Sequence, residues 1–286
     1  MVTRTCNTIS ICSGYGGIEL GIREIFPIKV ICYVERELST AEILRVRMQD
    51  KALDEAPIWS DLKTFDTREW DKKVDMLIGG FPCQPFAEAG KQLGAEDRRN
   101  LWPDTARVIR ELGVSIFFLE NVTGILRYYW DTIRPELREM GYEVTEGIFT
   151  AEETGAPQER ERLFIMGVSK KEKELAYPTL QGLEGIRFRR KGSSTKTSKP
   201  ISLYPPKPQD SEGWRKLIGY FPELEPSFCK SGEMHTQVSK NKSKLFRTSY
   251  GPSKEVDIRL RAIGNGVVPA VAAVAFRELR KNLVAL

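Results

Sequence analysis

The chain has 286 residues, 41% of them apolar and 9% aromatic, which suits one large domain or one with a small companion and argues against wholesale disorder. No run of about 18 apolar residues marks a membrane span, and Met1 to Asn7 lack the apolar core of a signal peptide, so a soluble cytoplasmic protein without a membrane is expected. Five cysteines without a CxxC pair and a single histidine, His235, argue against a structural zinc site, a histidine triad or a multi-histidine centre, and no metal is expected.

In chain order, Thr8 to Cys12 is a short β-prone run followed by the turn Ser13-Gly14-Tyr15-Gly16-Gly17. Ile18, Leu20, Ile22, Ile25 and Phe26 then repeat at helical spacing. Lys29 to Val34 is an apolar strand ending at Glu35, and Glu37 to Arg47 reads as a helix. Val74 to Ile78 is a strand ending in Gly79-Gly80, Asp104 to Leu112 a helix, and Ser115 to Leu119 a buried strand ending at Glu120. Pro135 to Met140 continues a helix, and Tyr142 to Phe149 and Leu163 to Val168 are further strands. Apolar strands alternating with helices predict an α/β fold with a mostly parallel sheet covered on both faces. Ligands of such sheets gather at the carboxyl ends of the strands. The glycine turn, Glu35, the Gly80–Gln84 turn and Glu120 all fall there.

Charge is unevenly placed. The whole chain carries +5, but Ala176 to Glu255 carries +8, leaving the rest at −3. Within that segment Arg187 to Lys199 holds six basic and no acidic residues, Tyr204 to Pro208 is proline-rich, and apolar periodicity is weak. It reads as a small basic, loop-rich module, suited either to neutralising nucleic-acid phosphates or to serving as a solvated insertion.

Four groups carry candidate chemistry. Gly14, Gly16 and Gly17 let a strand-to-helix turn approach a ligand closely, and Glu35 closing the next strand suits ribose hydroxyls; a tight structural turn is the alternative. Cys83 stands between Pro82 and Pro85 on a strand-end loop, a poor core position and a good one for a nucleophile. Glu120, ending an apolar strand, is placed to hold or share a proton if partly desolvated, or is otherwise an ionised cap. In Gln158-Glu159-Arg160-Glu161-Arg162, strand alternation puts Gln158, Arg160 and Arg162 on one face, suited to phosphate or base recognition, or to an exposed mixed-charge edge.

Taken in order, these elements resemble the DNA cytosine-5 methyltransferases, over Ile9 to Pro269 and without permutation of the motifs. SGYGG resembles the family's cofactor loop, PCQPF its catalytic-cysteine motif, ENV its catalytic-glutamate motif, QERER its Q-R-R motif, and Gly264-Asn265-Gly266-Val267-Val268-Pro269 its last motif, leading into a C-terminal helix. The resemblance implies a Rossmann-like domain binding S-adenosylmethionine (SAM) over 1–175, a target recognition domain over 176–258, and a return of 259–286 to the first domain. It implies catalytic roles for Cys83, Glu120, Arg160 and Arg162. It implies cofactor contacts from Cys12, Gly14, Tyr15, Gly16, Gly17, Glu35, Arg36, Asp61, Leu62, Gly80, Pro82, Asn265 and Val267. DNA contacts would come from Gln84, Asn121, Gln158, Arg187, Arg189, Arg190 and Lys191. Cys83 would add to carbon-6 of a flipped cytosine and carbon-5 would receive the methyl group. Double-stranded DNA is the implied partner of a monomeric, nucleoid-associated enzyme of bacterial or phage origin. It is either an orphan or part of a restriction-modification pair with a cognate endonuclease.

Three departures imply altered cofactor packing: Ser10 where the family often has an acid, Cys12 where it often has an aromatic, and Arg36 where an aromatic often follows the acid. The recognition segment is also short. The tRNA-directed branch of the family carries a CFT tripeptide, absent here. A non-enzymatic DNA-binding relative is the other alternative, against which Cys83, Glu120, Arg160 and Arg162 stand.

Overall fold

The computed structural model describes residues 4–70, 73–82, 100–156, 160–170 and 266–284. Two compact units are distinguished, one of Met1–Thr150, Glu161–Arg187 and Ala262–Leu286, the other of Ala151–Arg160 and Phe188–Arg261. The expected boundaries at 176 and 258 lie outside the described residues, as do Arg187, Arg189, Arg190 and Lys191 of the basic segment. In the second unit the described part is a 3-10 turn, Glu152–Thr154, ended by Gly155, with the Ala151 N–H donating to the Arg160 carbonyl (3.1 Å).

The first unit is built on a seven-stranded sheet. In chain order its elements are β1 (Cys6–Ile11), α1 (Gly17–Arg23), β2 (Ile28–Val34), α2 (Leu38–Gln49), β3 (Ile58–Trp59), β4 (Met76–Gly79), α3 (Trp102–Leu112) and β5 (Ile116–Asn121). A helical run follows, of α4 (Leu126–Tyr128), a π-helical turn (Tyr129–Ile133) and α5 (Arg134–Glu139). The last elements are β6 (Tyr142–Thr150), β7 (Glu161–Ser169) and α6 (Pro269–Val284). The strands lie in the order β3-β2-β1-β4-β5-β7-β6. The first five are parallel, and β7 runs antiparallel to both β5 and β6.

The inner strands β1, β4 and β5 are buried almost end to end because both faces are covered; β4 and Ile116 to Leu119 of β5 therefore read as apolar runs, while β1 buries Thr8 and Ser10 among its apolar residues. On one face Ile9, Ile11, Val34, Leu77, Phe117 and Leu119 join the buried stripe of α3 (Trp102, Ala106, Val108, Ile109, Leu112) and Leu137 of α5. On the other face α6 contributes Phe276, whose ring lies 5.4 Å from Phe26 and 5.2 Å from Phe118. The expected parallel α/β sheet is therefore present. Two-residue β3 and the π turn carry too little periodicity to be read from sequence.

From β1 the chain moves outward through β2 to β3, and from β4 in the other direction to β5. The order reverses between β1 and β4, the point at which open sheets of this kind leave a crevice outside the carboxyl ends of the strands.

Candidate active site

Residues following β1, β2, β3 and β4 meet at this crevice. The glycine turn begins with Cys12 at φ 47°, a left-handed conformation uncommon for a residue with a side chain, and continues with Gly14 at φ 58° and Gly16 at φ 85°. Three hydrogen bonds hold it: Ser13 N–H to the Val34 carbonyl (3.3 Å), Gly16 N–H to the Ser13 carbonyl (3.0 Å), and Gly14 N–H to Glu35 Oε2 (2.9 Å). The other Glu35 oxygen accepts from the Glu37 N–H (2.8 Å). Burial pushes the Glu35 carboxyl above its ordinary value, while the Glu37, Gly14 and Arg36 amides pull it back. The Arg36 side chain itself is exposed.

Asp61 follows β3 and caps the short 3-10 turn Leu62–Thr64, its Oδ1 accepting from the Lys63 N–H (3.0 Å). Leu62 is buried in the core cluster against which Cys12 packs. Burial first, then the carboxylates of Glu35, Asp61 and Asp104, push the Cys12 thiol up to about 12. Cys12 is therefore a neutral wall of the crevice rather than a nucleophile. The same causes single out Asp104, in the first turn of α3, which sequence reasoning missed because an acid near a helix start reads as a favourable end charge. Three carboxylates around one half-buried thiol suit a ligand that carries positive charge and hydroxyl groups.

The C-terminal segment closes the other side of the turn. Tyr15 donates its hydroxyl to the Val267 carbonyl, and the Arg47 guanidinium lies 5.0 Å from the centre of the Tyr15 ring. A Cβ on Gly17 would stand 2.2 Å from the Val267 carbonyl oxygen, and one on Gly21 2.2 Å from that of Pro269. The two glycines, one helical turn apart, let α1 lie against the start of α6. Val267 is thus brought to the glycine turn; Asn265 lies outside the described residues.

On the β4–β5 side, Gly80, Phe81 and Pro82 lead out of β4. Phe81 is buried against Trp102, ring centres 5.6 Å apart. Asn121, only 2% exposed, donates from Nδ2 to the Phe81 carbonyl (2.8 Å) and accepts the Val122 N–H at Oδ1 (2.8 Å). Both ends of the Asn121 amide thus bond backbone, and the residue holds the strand-end loop. Glu120 is also buried, and its Oε2 lies 2.8 Å from the place a Cβ on Gly80 would take. Arg162 of β7 reaches Glu120 Oε1 with its Nε at 2.8 Å, because β5 and β7 pair in register beside them, Asn121 facing Leu163. A carboxylate–guanidinium pair thus stands against Gly80, the residue three before Cys83 in sequence. Cys83, Gln84 and Gln158 lie outside the described residues; Arg160 is described and half-buried.

The sheet order, with β7 inserted antiparallel between β5 and β6, defines a Rossmann-like methyltransferase fold. The chain belongs to the C-5 cytosine-specific DNA methylase family, whose model matches residues 6–253. The Type II methyltransferase M1.ScrFI of Lactococcus lactis subsp. cremoris is 33% identical over 168 residues, covering 57% of this chain and 41% of that protein. Across the first matched curated relatives, the chain spans two fifths to a half of their length. Among solved structures, an E. coli DNA modification methyltransferase encoded within a prophage superposes with a TM-score of 0.50 at 26% identity, over 59% of this chain and 48% of that one. Spodoptera frugiperda DNMT2 superposes with a TM-score of 0.57 over 96% of this chain and 99% of its own; at 16% identity it shares the fold. Among the described residues no helix is long and apolar enough to cross a membrane.

Proposed function

We propose that the protein is a DNA cytosine-5 methyltransferase that uses SAM, of the restriction-modification type or of an orphan or phage type. The observation that carries this reading is the Glu120–Arg162 pair set against Gly80 at the mouth of the strand leading to Cys83. The family match and the Type II relatives support it. In the first case a cognate endonuclease would be its partner.

Cytosine carbon-5 is too electron-poor to attack an alkyl sulfonium unaided. Addition of the Cys83 thiolate to carbon-6 makes carbon-5 enamine-like and nucleophilic. Glu120 stabilises the charge of that addition by holding a proton at ring nitrogen-3. Arg162 fixes the Glu120 carboxyl and offers further N–H donors to the oxygen on carbon-2. Arg160 helps hold Cys83 or a nearby phosphate. After transfer the carbon-5 proton leaves and the thiolate is released.

The acidic crevice fits the methyl donor: Glu35 accepts from hydroxyls, Asp61 and Asp104 add negative charge, the glycine turn admits close approach, and Val267 walls the far side. SAM, when bound there, supplies an electrophilic methyl group. A stacked base cannot reach the strand-end loop, so the cytosine must leave the helix at a cost of a few kcal/mol. Phosphate contacts from the basic segment between Ala176 and Glu255 would offset part of that cost.

The test is transfer of labelled methyl from SAM to duplex DNA, with bisulfite sequencing to locate the modified cytosine. The reading predicts incorporation by the wild type and none by Cys83→Ala. Folded, SAM-bound protein that methylates no DNA, or turns over faster on tRNA, would contradict it.

A further inference from the structure

Beneath the glycine turn lies an acid that none of the roles above uses. Glu19 sits in the first turn of α1 and is 1% exposed. Its Oε1 is hydrogen-bonded to the Ser10 hydroxyl of β1. Ser10 Oγ in turn lies 2.8 Å from Ser13 Oγ, and Ser13 Oγ donates to the Ser10 carbonyl (3.0 Å). Three oxygen–oxygen contacts therefore form one chain from Glu19 to Ser10 to Ser13 and back to the β1 backbone. Two serines bring only two hydroxyl protons. With Glu19 neutral, its own proton serves the first contact, that of Ser10 the second and that of Ser13 the third. With Glu19 ionised, Ser10 must donate to the carboxylate, and Ser13 can serve only one of the two contacts that remain.

Ser13 is also the pivot of the turn. Its N–H is bound to Val34, its carbonyl receives Gly16, and the next amide, Gly14, is the one that meets Glu35.

Resting on the reading of this crevice as the SAM pocket, we infer that Glu19 is a positioning residue for it: carrying its proton, Glu19 completes the serine relay that holds Gly14 towards Glu35, and loss of that proton slackens the turn and weakens methyl-donor binding. Burial pushes the Glu19 carboxyl up to about 7, so both states are populated at physiological pH. Ser10, the Glu19 backbone amide and Arg23 favour the anion, and Glu35, just after β2, opposes it. Tyr33, also on β2, is held neutral by burial and by the charges of Glu19 and Asp54. The groups of the C-terminal segment nearest Gly17 and Gly21, the Val267 and Pro269 carbonyls and Ala272, are uncharged.

By reciprocity, a proton that favours ligand binding is itself held more tightly in the complex. SAM binding to the full chain is measured calorimetrically between pH 6 and 8, in buffers of different ionisation enthalpy. The wild type is expected to lose roughly fivefold in affinity over that range, as a one-unit rise of the Glu19 pKa in the complex requires, and to take up a fraction of a proton on binding. Glu19→Gln, a neutral isostere, should show no such loss and no such uptake. The readout is the difference between the two proteins, because the ligand's own amine titrates equally in both. Ser13→Ala, which keeps Glu19 and removes the end of the relay, should bind at pH 6 as weakly as the wild type at pH 8. Glu19→Gln or Ser13→Ala following the wild-type profile would overturn the inference. The pocket reading would still stand if Glu35→Ala weakened binding at every pH. Folded wild type that binds no SAM at any pH would overturn both.

Discussion

Asn121 offers the sharpest separation of loop positioning from cofactor binding. Asn121→Ala removes two hydrogen bonds of 2.8 Å, one to the Phe81 carbonyl and one from the Val122 amide, at a site 2% exposed. Each bond contributes about 1 kcal/mol net, and each buried group deprived of its partner costs about 1–3 kcal/mol, so a loss of about 2–4 kcal/mol is expected, the Val122 amide being only partly buried. Asn121→Asp keeps the acceptor for Val122 but turns an oxygen towards the Phe81 carbonyl, and should be no milder. Phe81 lies two residues before Cys83, and a displacement of about 1 Å at a reacting group lowers turnover by about a hundredfold. The acids of the cofactor crevice lie on other segments, so SAM affinity should change by less than about threefold, since no hydrogen bond to the ligand is lost. Urea unfolding, calorimetric SAM binding and steady-state methyl transfer on the same preparations give the three numbers. An Asn121→Ala protein with an unaltered unfolding midpoint and kcat within threefold of wild type would refute the reasoning.

Gly17→Ala should destabilise the protein far more than Gly14→Ala. The first drives a Cβ to 2.2 Å from the Val267 carbonyl oxygen, whereas the second meets nothing within 4 Å and bears only the left-handed backbone cost, about 1–2 kcal/mol; comparable thermal midpoints would contradict this. Glu120→Gln and Arg162→Ala should each lower kcat by about a hundredfold or more while leaving SAM affinity near wild type, checked by single-turnover transfer alongside binding. Because the fold raises Glu19 from 4.5 to about 7, the native state binds its proton more tightly than the unfolded chain does. That contribution is fully present below about pH 4.5 and is lost as pH rises through about 7. Wild type should therefore lose about 3 kcal/mol relative to Glu19→Gln across that window, read from urea unfolding at each pH.

Much of the sheet was legible because its inner strands are buried on both faces and so stand out as apolar runs, with Glu35 and Glu120 marking their ends. The glycine turn was equally plain, but its purpose was only half visible. Gly17 and Gly21 serve a contact with carbonyls some 250 residues further along, which no local pattern announces. Glu19 reads locally as a solvated acid on an amphipathic helix; only the closing of β1 over α1 buries it beside Ser10. Asn121 reads as a polar residue at a ligand-bearing strand end, yet its bonds run inward to backbone. The Cys12 thiol is kept protonated by burial first and then by three carboxylates that come from three separate segments, which no local pattern shows.

The proposed catalysis requires a covalent bond between Cys83 and a cytosine drawn out of duplex DNA. Duplex DNA bearing 5-fluorocytosine, incubated with SAM and the full chain and then denatured, measures that bond directly, since fluorine at carbon-5 cannot leave as a proton does. The account predicts a denaturation-stable protein–DNA adduct whose peptide map places the link on Cys83, absent from Cys83→Ala. Methylation of ordinary duplex DNA without any such adduct, or an adduct on another residue, would contradict it.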